Sequence, residues 1–234
     1  MVTIDRPPAN ALDPALLHAG ADVIDELRAD PPGAVVLTGT GAFFSGGADL
    51  RVVPDLPPEE QADLTRVFNV MFAGWYHFPR PVVTAVNGHA VAGGLVLALC
   101  GDYRIVGRSG RFGLTEVKVG IPFPSVAMAI VQGEVTPPVL RRLVLRAELF
   151  DAATAHARDL FDEQVDDDRV LDRAIAVARE LASHPKGTYE LVKLRLRAGA
   201  LERGRGQFGG ADAAARAIGE ASTAAKKVLD PGSE

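Results

Sequence analysis

A single cysteine, Cys100, leaves the chain no intrachain disulfide and no cysteine pair for a zinc knuckle. It falls in an apolar run and reads as a small core residue. Excess positive charge is missing too. The 234 residues hold 25 Lys and Arg against 30 Asp and Glu, a formal charge of −5, which argues against a nucleic-acid binder. Basic residues are scattered, apart from Lys193, Arg195, Arg197, Arg203 and Arg205. No apolar run approaches the roughly 18 residues of a membrane span. The longest, Ala90 to Cys100, is short and broken by glycines. The opening, Met1-Val2-Thr3-Ile4-Asp5-Arg6-Pro7, carries no apolar targeting segment. The five histidines show no metal-ligand spacing, so neither a metal nor a cofactor is expected. These absences predict a cytoplasmic protein with no membrane or nucleic-acid partner.

What remains is ordinary globular material, 47% hydrophobic and 24% charged. The length suits one large domain or a domain with an appendage. Asp13-Pro14 starts a helix, with a capping carboxylate before a proline. Pro31-Pro32-Gly33 ends it, and Ala34 to Thr38 is a buried strand. Pro54 to Pro58 is a surface linker. A second helix follows from Glu59, with Leu64, Val67, Phe68, Met71, Phe72 and Trp75 on one stripe. Val82 to Val86 is a strand, Asn87-Gly88 a turn, Gly93 to Cys100 a buried helix and Tyr103 to Val106 a strand. Arg111 to Gly113 begins another. Beyond residue 115 the pattern predicts helices alone: 124–132, 137–146, 152–158, 169–183, 186–197 and 211–229. Gly204 to Gly210 reads as a hinge. The class is α/β with a helical C-terminal part. A core over residues 1–185 and a C-terminal helical region over 186–234 are expected.

Chemistry concentrates in two glycine-bearing segments and one carboxylate. The segments are Gly41-Ala42-Phe43-Phe44-Ser45-Gly46-Gly47-Ala48-Asp49-Leu50 and Asn87-Gly88-His89-Ala90-Val91-Ala92-Gly93-Gly94-Leu95-Val96. The carboxylate is Glu116. Each segment lies where a strand gives way to a helix, so each can present free backbone N–H groups. Two such donors facing an acid can hold an oxyanion while a proton moves. Gly39-Thr40-Gly41 lacks the lysine of a phosphate-binding loop, and no dinucleotide fingerprint fits.

The order of these pieces resembles the crotonase superfamily of enoyl-CoA hydratases, isomerases and relatives. The resemblance covers nearly the whole chain. It rests on Asp5 to Leu12, Phe44 to Leu50, Asn87 to Gly94, Cys100-Gly101-Asp102-Tyr103-Arg104-Ile105 and Phe112 to Pro122. It implies a spiral of ββα units with a C-terminal trimerisation region, assembled as a homotrimer or dimer of trimers. It implies an acyl-CoA substrate, with coenzyme A entering as the substrate's thioester. The matching oxyanion donors are the N–H groups of Ala48 and Gly93. Glu116 matches one of the two hydratase glutamates. The other position holds Val96, which cannot ionise. The one-acid pattern is similar to Δ3,Δ2-enoyl-CoA isomerases, in which one carboxylate moves a proton from C2 to C4.

The resemblance also places the Ser45-Gly46 backbone and Leu50 near the adenine. Arg51, and Lys193 from a neighbouring subunit, are placed near phosphate. Phe68, Phe72, Trp75 and Phe123 are placed along the acyl chain. Asp102 reads as structural and Asp49 as a loop stabiliser. Only four residues precede Asp5, so either the start is late or the sheet edge is shortened. Gly120-Ile121-Pro122-Phe123-Pro124-Ser125 replaces a glycine-rich stretch common in hydratases and reshapes the pocket. The nearest rival activity is water addition to a 2-enoyl-CoA using Glu116 alone. A further alternative is a non-catalytic acyl-CoA-binding subunit.

Overall fold

The computed structural model describes residues 1–53 and 56–206. The expected helix over 211–229 and the end of the expected hinge lie outside the described residues. The hinge's first residues belong to a helix that continues to Gly206.

Two sheets organise the chain. The first has the order β1-β2-β4-β6-β9, with every pairing parallel. Its strands are β1 (Val2–Ile4), β2 (Val35–Gly39), β4 (Val82–Val86), β6 (Tyr103–Val106) and β9 (Glu163–Gln164). The second has the order β3-β5-β7-β8: β3 (Phe43–Ser45), β5 (His89–Val91), β7 (Phe112–Gly113) and β8 (Leu149–Phe150). Here only the β7–β8 pairing is antiparallel. The helices are α1 (Pro14–Ala29), α2 (Pro58–Tyr76), α3 (Gly93–Leu99), α4 (Ser125–Glu134), α5 (Pro137–Val144), α6 (Ala152–His156), α7 (Val170–Ala182) and α8 (Lys186–Gly206).

The apolar strands are buried on both faces, as parallel sheets generally are. Val35, Leu37, Val82 and Val86 join the main core. Their alternates Val36, Val83 and Ala85 pack with Ile105 against Val170, Ala174, Val177 and Ala178 of α7. Period-two alternation thus divides each strand between two clusters. Two helix starts follow the capping rules. Asp13 accepts from the Leu16 N–H at 2.9 Å, and Asp151 accepts from the Thr154 N–H at 2.7 Å.

Three expectations are corrected. The chain beyond residue 115 is not helical throughout, because β8 and β9 complete the two sheets. The helix expected over 186–197 continues to Gly206. The strands β3 and β5 were not expected; each is three residues long and too short for a periodic signal. Among the described residues, no helix is long and apolar enough to cross a membrane.

Candidate active site

The second sheet brings the two glycine-bearing segments together. β3 pairs with β5 in parallel, and the chain leaves each strand beside the other. The first segment is held from below by Asn10, which is fully buried. The Asn10 amide donates to the carbonyls of Thr40 at 3.0 Å and Phe43 at 2.7 Å. The Asn10 backbone carbonyl accepts from Ser45 Oγ at 2.8 Å. Leu12 then forms a parallel bridge with Ala48, donating to the Gly47 carbonyl at 2.8 Å and accepting from the Asp49 N–H at 3.3 Å. Asn10 carries no chemistry, yet it fixes the loop that does. Its isolated place in a Pro-Ala-Asn-Ala run gave no signal of that role.

The segments approach so closely that glycine is required at two positions. A Cβ on Gly94 would lie 2.0 Å from the Ser45 carbonyl oxygen. Gly47 has a φ of 80°, and a Cβ there would lie 2.9 Å from the Gly93 nitrogen. Gly93 differs: a Cβ would meet Leu12 at 3.4 Å and Phe72 at 3.6 Å, both ordinary contacts. Among the described residues, neither the Ala48 nor the Gly93 N–H meets a protein acceptor. As the first residue of α3, Gly93 has no intrahelical partner for its N–H.

Both residues line one cavity of about 770 Å³, counted with its open mouth. Gly46, Ala48 and Leu50 form the side contributed by the first segment. Phe68 and Phe72 of α2, four residues apart and so on one helical face, add rings with centroids 5.6 Å apart. Val96 of α3, Phe123 and Ala127 complete an apolar wall. Glu116 is the one ionisable side chain among the described lining residues.

Glu116 opens a 3₁₀ turn, Glu116–Lys118, that follows β7. Its backbone is fixed because its carbonyl accepts from the N–H groups of Val119 at 3.1 Å and Ile121 at 3.0 Å. The side chain is buried, and Oε2 has no hydrogen-bond partner. Burial penalises the charged form and pushes the carboxyl up to about 7, against weaker backbone hydrogen bonds at Glu116 and Thr115 that favour ionisation. A carboxylate tuned near neutrality can both take and return a proton.

The remaining expected site residues divide. Leu50, Gly46, Phe68, Phe72 and Phe123 reach the cavity. Trp75 does not; it lines a separate cleft with Val2, Leu16 and Leu97. It shares the stripe of Phe68 but lies seven residues further along, roughly 10 Å down the helix axis. Ser45 is fully buried, its hydroxyl held by Asn10, and it does not line the cavity. Arg51 is exposed and forms a two-point pair with Asp49, Nε to Oδ1 and Nη2 to Oδ2, each 3.0 Å. That pairing holds the Asp49 carboxyl below the usual carboxylate range.

Lys193 requires a correction. Its ammonium is buried in its own chain, donating to Asp102 Oδ2 at 2.7 Å and to the Arg80 carbonyl at 3.2 Å. Burial lowers it to about 8, against the opposing pull of Asp102. It is therefore committed inside the fold rather than free to reach a phosphate. Arg197, four residues on along α8, is buried beside it. A basic run in sequence thus contains two buried structural cations, a distinction that charge pattern cannot reveal. Among the described residues, no group of three or more His, Cys, Asp or Glu is placed to hold a metal ion.

Two paired strand–turn segments, two unclaimed N–H donors and a buried acid define a crotonase-type enzyme. The chain belongs to the enoyl-CoA hydratase/isomerase family, whose model matches residues 1–221. A putative enoyl-CoA hydratase of Thermus thermophilus is 36% identical over 193 residues, covering 81% of this chain and 76% of that protein. A probable enoyl-CoA hydratase of Mycobacterium avium is 34% identical over 194 residues, covering 82% and 76%. Among solved structures, an enoyl-CoA isomerase of Mycobacterium tuberculosis aligns with a TM-score of 0.83 at 32% identity, covering 92% of each chain. An enoyl-CoA hydratase of Mycobacterium marinum aligns with a TM-score of 0.84 at 32% identity, covering 93% of this chain and 94% of that one.

Proposed function

We propose that the protein is a Δ3,Δ2-enoyl-CoA isomerase. The observation that carries this reading is the lone carboxylate: Glu116 faces a wall in which Val96 is fully buried and cannot hold water. Glu116 takes a proton from C2 of a 3-enoyl-CoA. The C2–H electrons delocalise into a dienolate, and negative charge gathers on the thioester oxygen between the Ala48 and Gly93 N–H groups. The same carboxyl returns the proton to C4, the double bond moves to C2–C3, and the donors release a neutral thioester. No water is added. One oxyanion donor is worth about 2.7–4 kcal/mol of transition-state stabilisation.

The CoA portion lies at the cavity mouth along Gly46 and Leu50, with Arg51 as the nearby exposed cation. Assembly through the C-terminal helices accords with the apolar residues α8 exposes, Leu191, Val192, Leu194 and Leu196. Sedimentation as a monomer at micromolar concentration would contradict that assembly.

The test is a screen of 3-enoyl-CoA and 2-enoyl-CoA substrates over several chain lengths. Product analysis must separate double-bond movement from water addition. Isomerisation abolished by Glu116→Gln supports the reading. Faster hydration than isomerisation would replace it with the hydratase. Tight acyl-CoA binding without turnover would favour a binding subunit.

A further inference from the structure

The residue before the second donor has a backbone that side chains rarely adopt. Ala92 has φ 52° and ψ −131°. These are close to the angles of the first central residue in a type II′ turn, a position dominated by glycine. An L side chain there crowds its own backbone. The surrounding hydrogen bonds hold it in place. The Ala92 N–H donates to the Gly113 carbonyl at 2.8 Å, and the Ala92 carbonyl accepts from the N–H groups of Leu95 at 2.9 Å and Val96 at 3.2 Å.

Those bonds fix the peptide that joins Ala92 to Gly93. Its carbonyl points into α3, so the planar trans peptide sends the Gly93 N–H the opposite way, toward the cavity that Gly93 lines. The Ala92 methyl group has a neighbour of its own. A Cβ built on Gly47 would fall 2.8 Å from Ala92 Cβ. Gly47, the residue before the first donor, is therefore seated against this methyl group.

We propose that Ala92 is a positioning residue whose methyl group, held on a strained backbone, sets the spacing between the Ala48 and Gly93 N–H donors. The inference rests on the function proposed above. Strain that neighbouring bonds over-determine is a recurrent device at functional sites. Glycine at position 92 keeps the backbone path, releases the strain and removes the spacer. Stability and turnover then move in opposite directions, which a merely structural residue would not produce.

The experiment compares full-length wild type, Ala92→Gly and Ala92→Ser, using turnover of a 3-enoyl-CoA and thermal melting. In Ala92→Gly, Tm is expected to rise by about 2–4 °C. Its kcat is expected to fall about 10- to 100-fold with KM unchanged, as a misplaced transition-state contact should behave. Ala92→Ser keeps the Cβ and should keep wild-type kcat. A lowered Tm in Ala92→Gly overturns the strain. Undiminished kcat in Ala92→Gly, or an equal loss in Ala92→Ser, overturns the spacer. A wild type that turns over no acyl-CoA overturns the functional reading together with this inference, whereas an active wild type with an equally active Ala92→Gly overturns the inference alone.

Discussion

The Arg197 guanidinium lies 3.0 Å from Asp102 Oδ1 while it donates to the carbonyls of Tyr76, Cys100 and Gly101. Tyr76 is the last residue of α2, and Cys100 caps α3. One side chain of α8 therefore satisfies C-terminal carbonyls of two of the helices that wall the cavity, α2 and α3, where a cation is favoured. It also stacks on the Tyr76 ring, 4.1 Å from the centroid. Asp102 neutralises this cation and Lys193 together, and accepts from the Val82 N–H at 2.8 Å.

Asp102→Ala leaves two cations buried with their shared carboxylate removed. Breaking a buried pair on one side costs about 3–5 kcal/mol. Urea unfolding is expected to show a loss of that order, with the activity of the remaining folded protein largely kept. A loss below about 1 kcal/mol would mean that water reaches the cluster and that Asp102 is not its keystone.

Gly93 and Gly94, adjacent and identical, are expected to respond oppositely to alanine. At Gly94 the added Cβ would strike the Ser45 carbonyl oxygen at 2.0 Å, and backbone cannot yield cheaply. Gly94→Ala should lose about 1–3 kcal/mol or more, or fail to accumulate as folded protein. At Gly93 the Cβ meets Leu12, Phe72 and the Gly47 Cα, all at ordinary distance, and alanine suits a helical position better than glycine. Gly93→Ala should hold or gain up to about 1 kcal/mol. Thermal melts of the two variants decide this, and equal losses would contradict the packing described.

Sequence and structure agree where local signals are strong. The capping Asp13, the double-sided strands and the order of the glycine segments were legible because each has a local physical signature. Glu116 was legible as an acid that burial should desolvate, but its unpaired Oε2 was not. The resemblance puts Trp75 and Lys193 at positions that this chain's packing does not give them. A stripe or a charge cluster fixes angle around a helix, whereas distance along it and the choice of neighbour come from tertiary packing. The short strands β8 and β9 owe their existence to partners far away in sequence, so no local pattern announces them.

The elevated Glu116 carboxyl gives two linked pH predictions. As the base, Glu116 must be ionised, so kcat/KM should climb with pH and level off above a midpoint near 7. Stability runs the other way. The folded state keeps the Glu116 proton from an ordinary value of 4.5 up to about 7, while the unfolded chain has already released it. Across that window the native state binds more protons, so this group's contribution falls as pH rises. Glu116→Gln removes the burden and should stabilise the protein by up to about 3 kcal/mol at pH 8, with little effect near pH 4. Denaturant titrations of both proteins at the two pH values read this directly. Equal stability differences at both would show that Glu116 is hydrated in the fold.

Val96→Glu tests why the site carries a single acid. Val96 is fully buried and faces the same cavity as Glu116. A second carboxyl there meets the same desolvation and, once ionised, repels the first. The pair should then titrate in two steps, one of them raised above the wild-type value. Isomerisation should consequently require higher pH, its midpoint moving upward from about 7. Two carboxyl groups across an apolar cavity also supply what Val96 denies, a polar pair able to hold a water between them. Water addition to a 2-enoyl-CoA should rise relative to isomerisation when both are measured on the same preparation. An unchanged midpoint with an unchanged product ratio would mean that position 96 and Glu116 do not share one reacting centre.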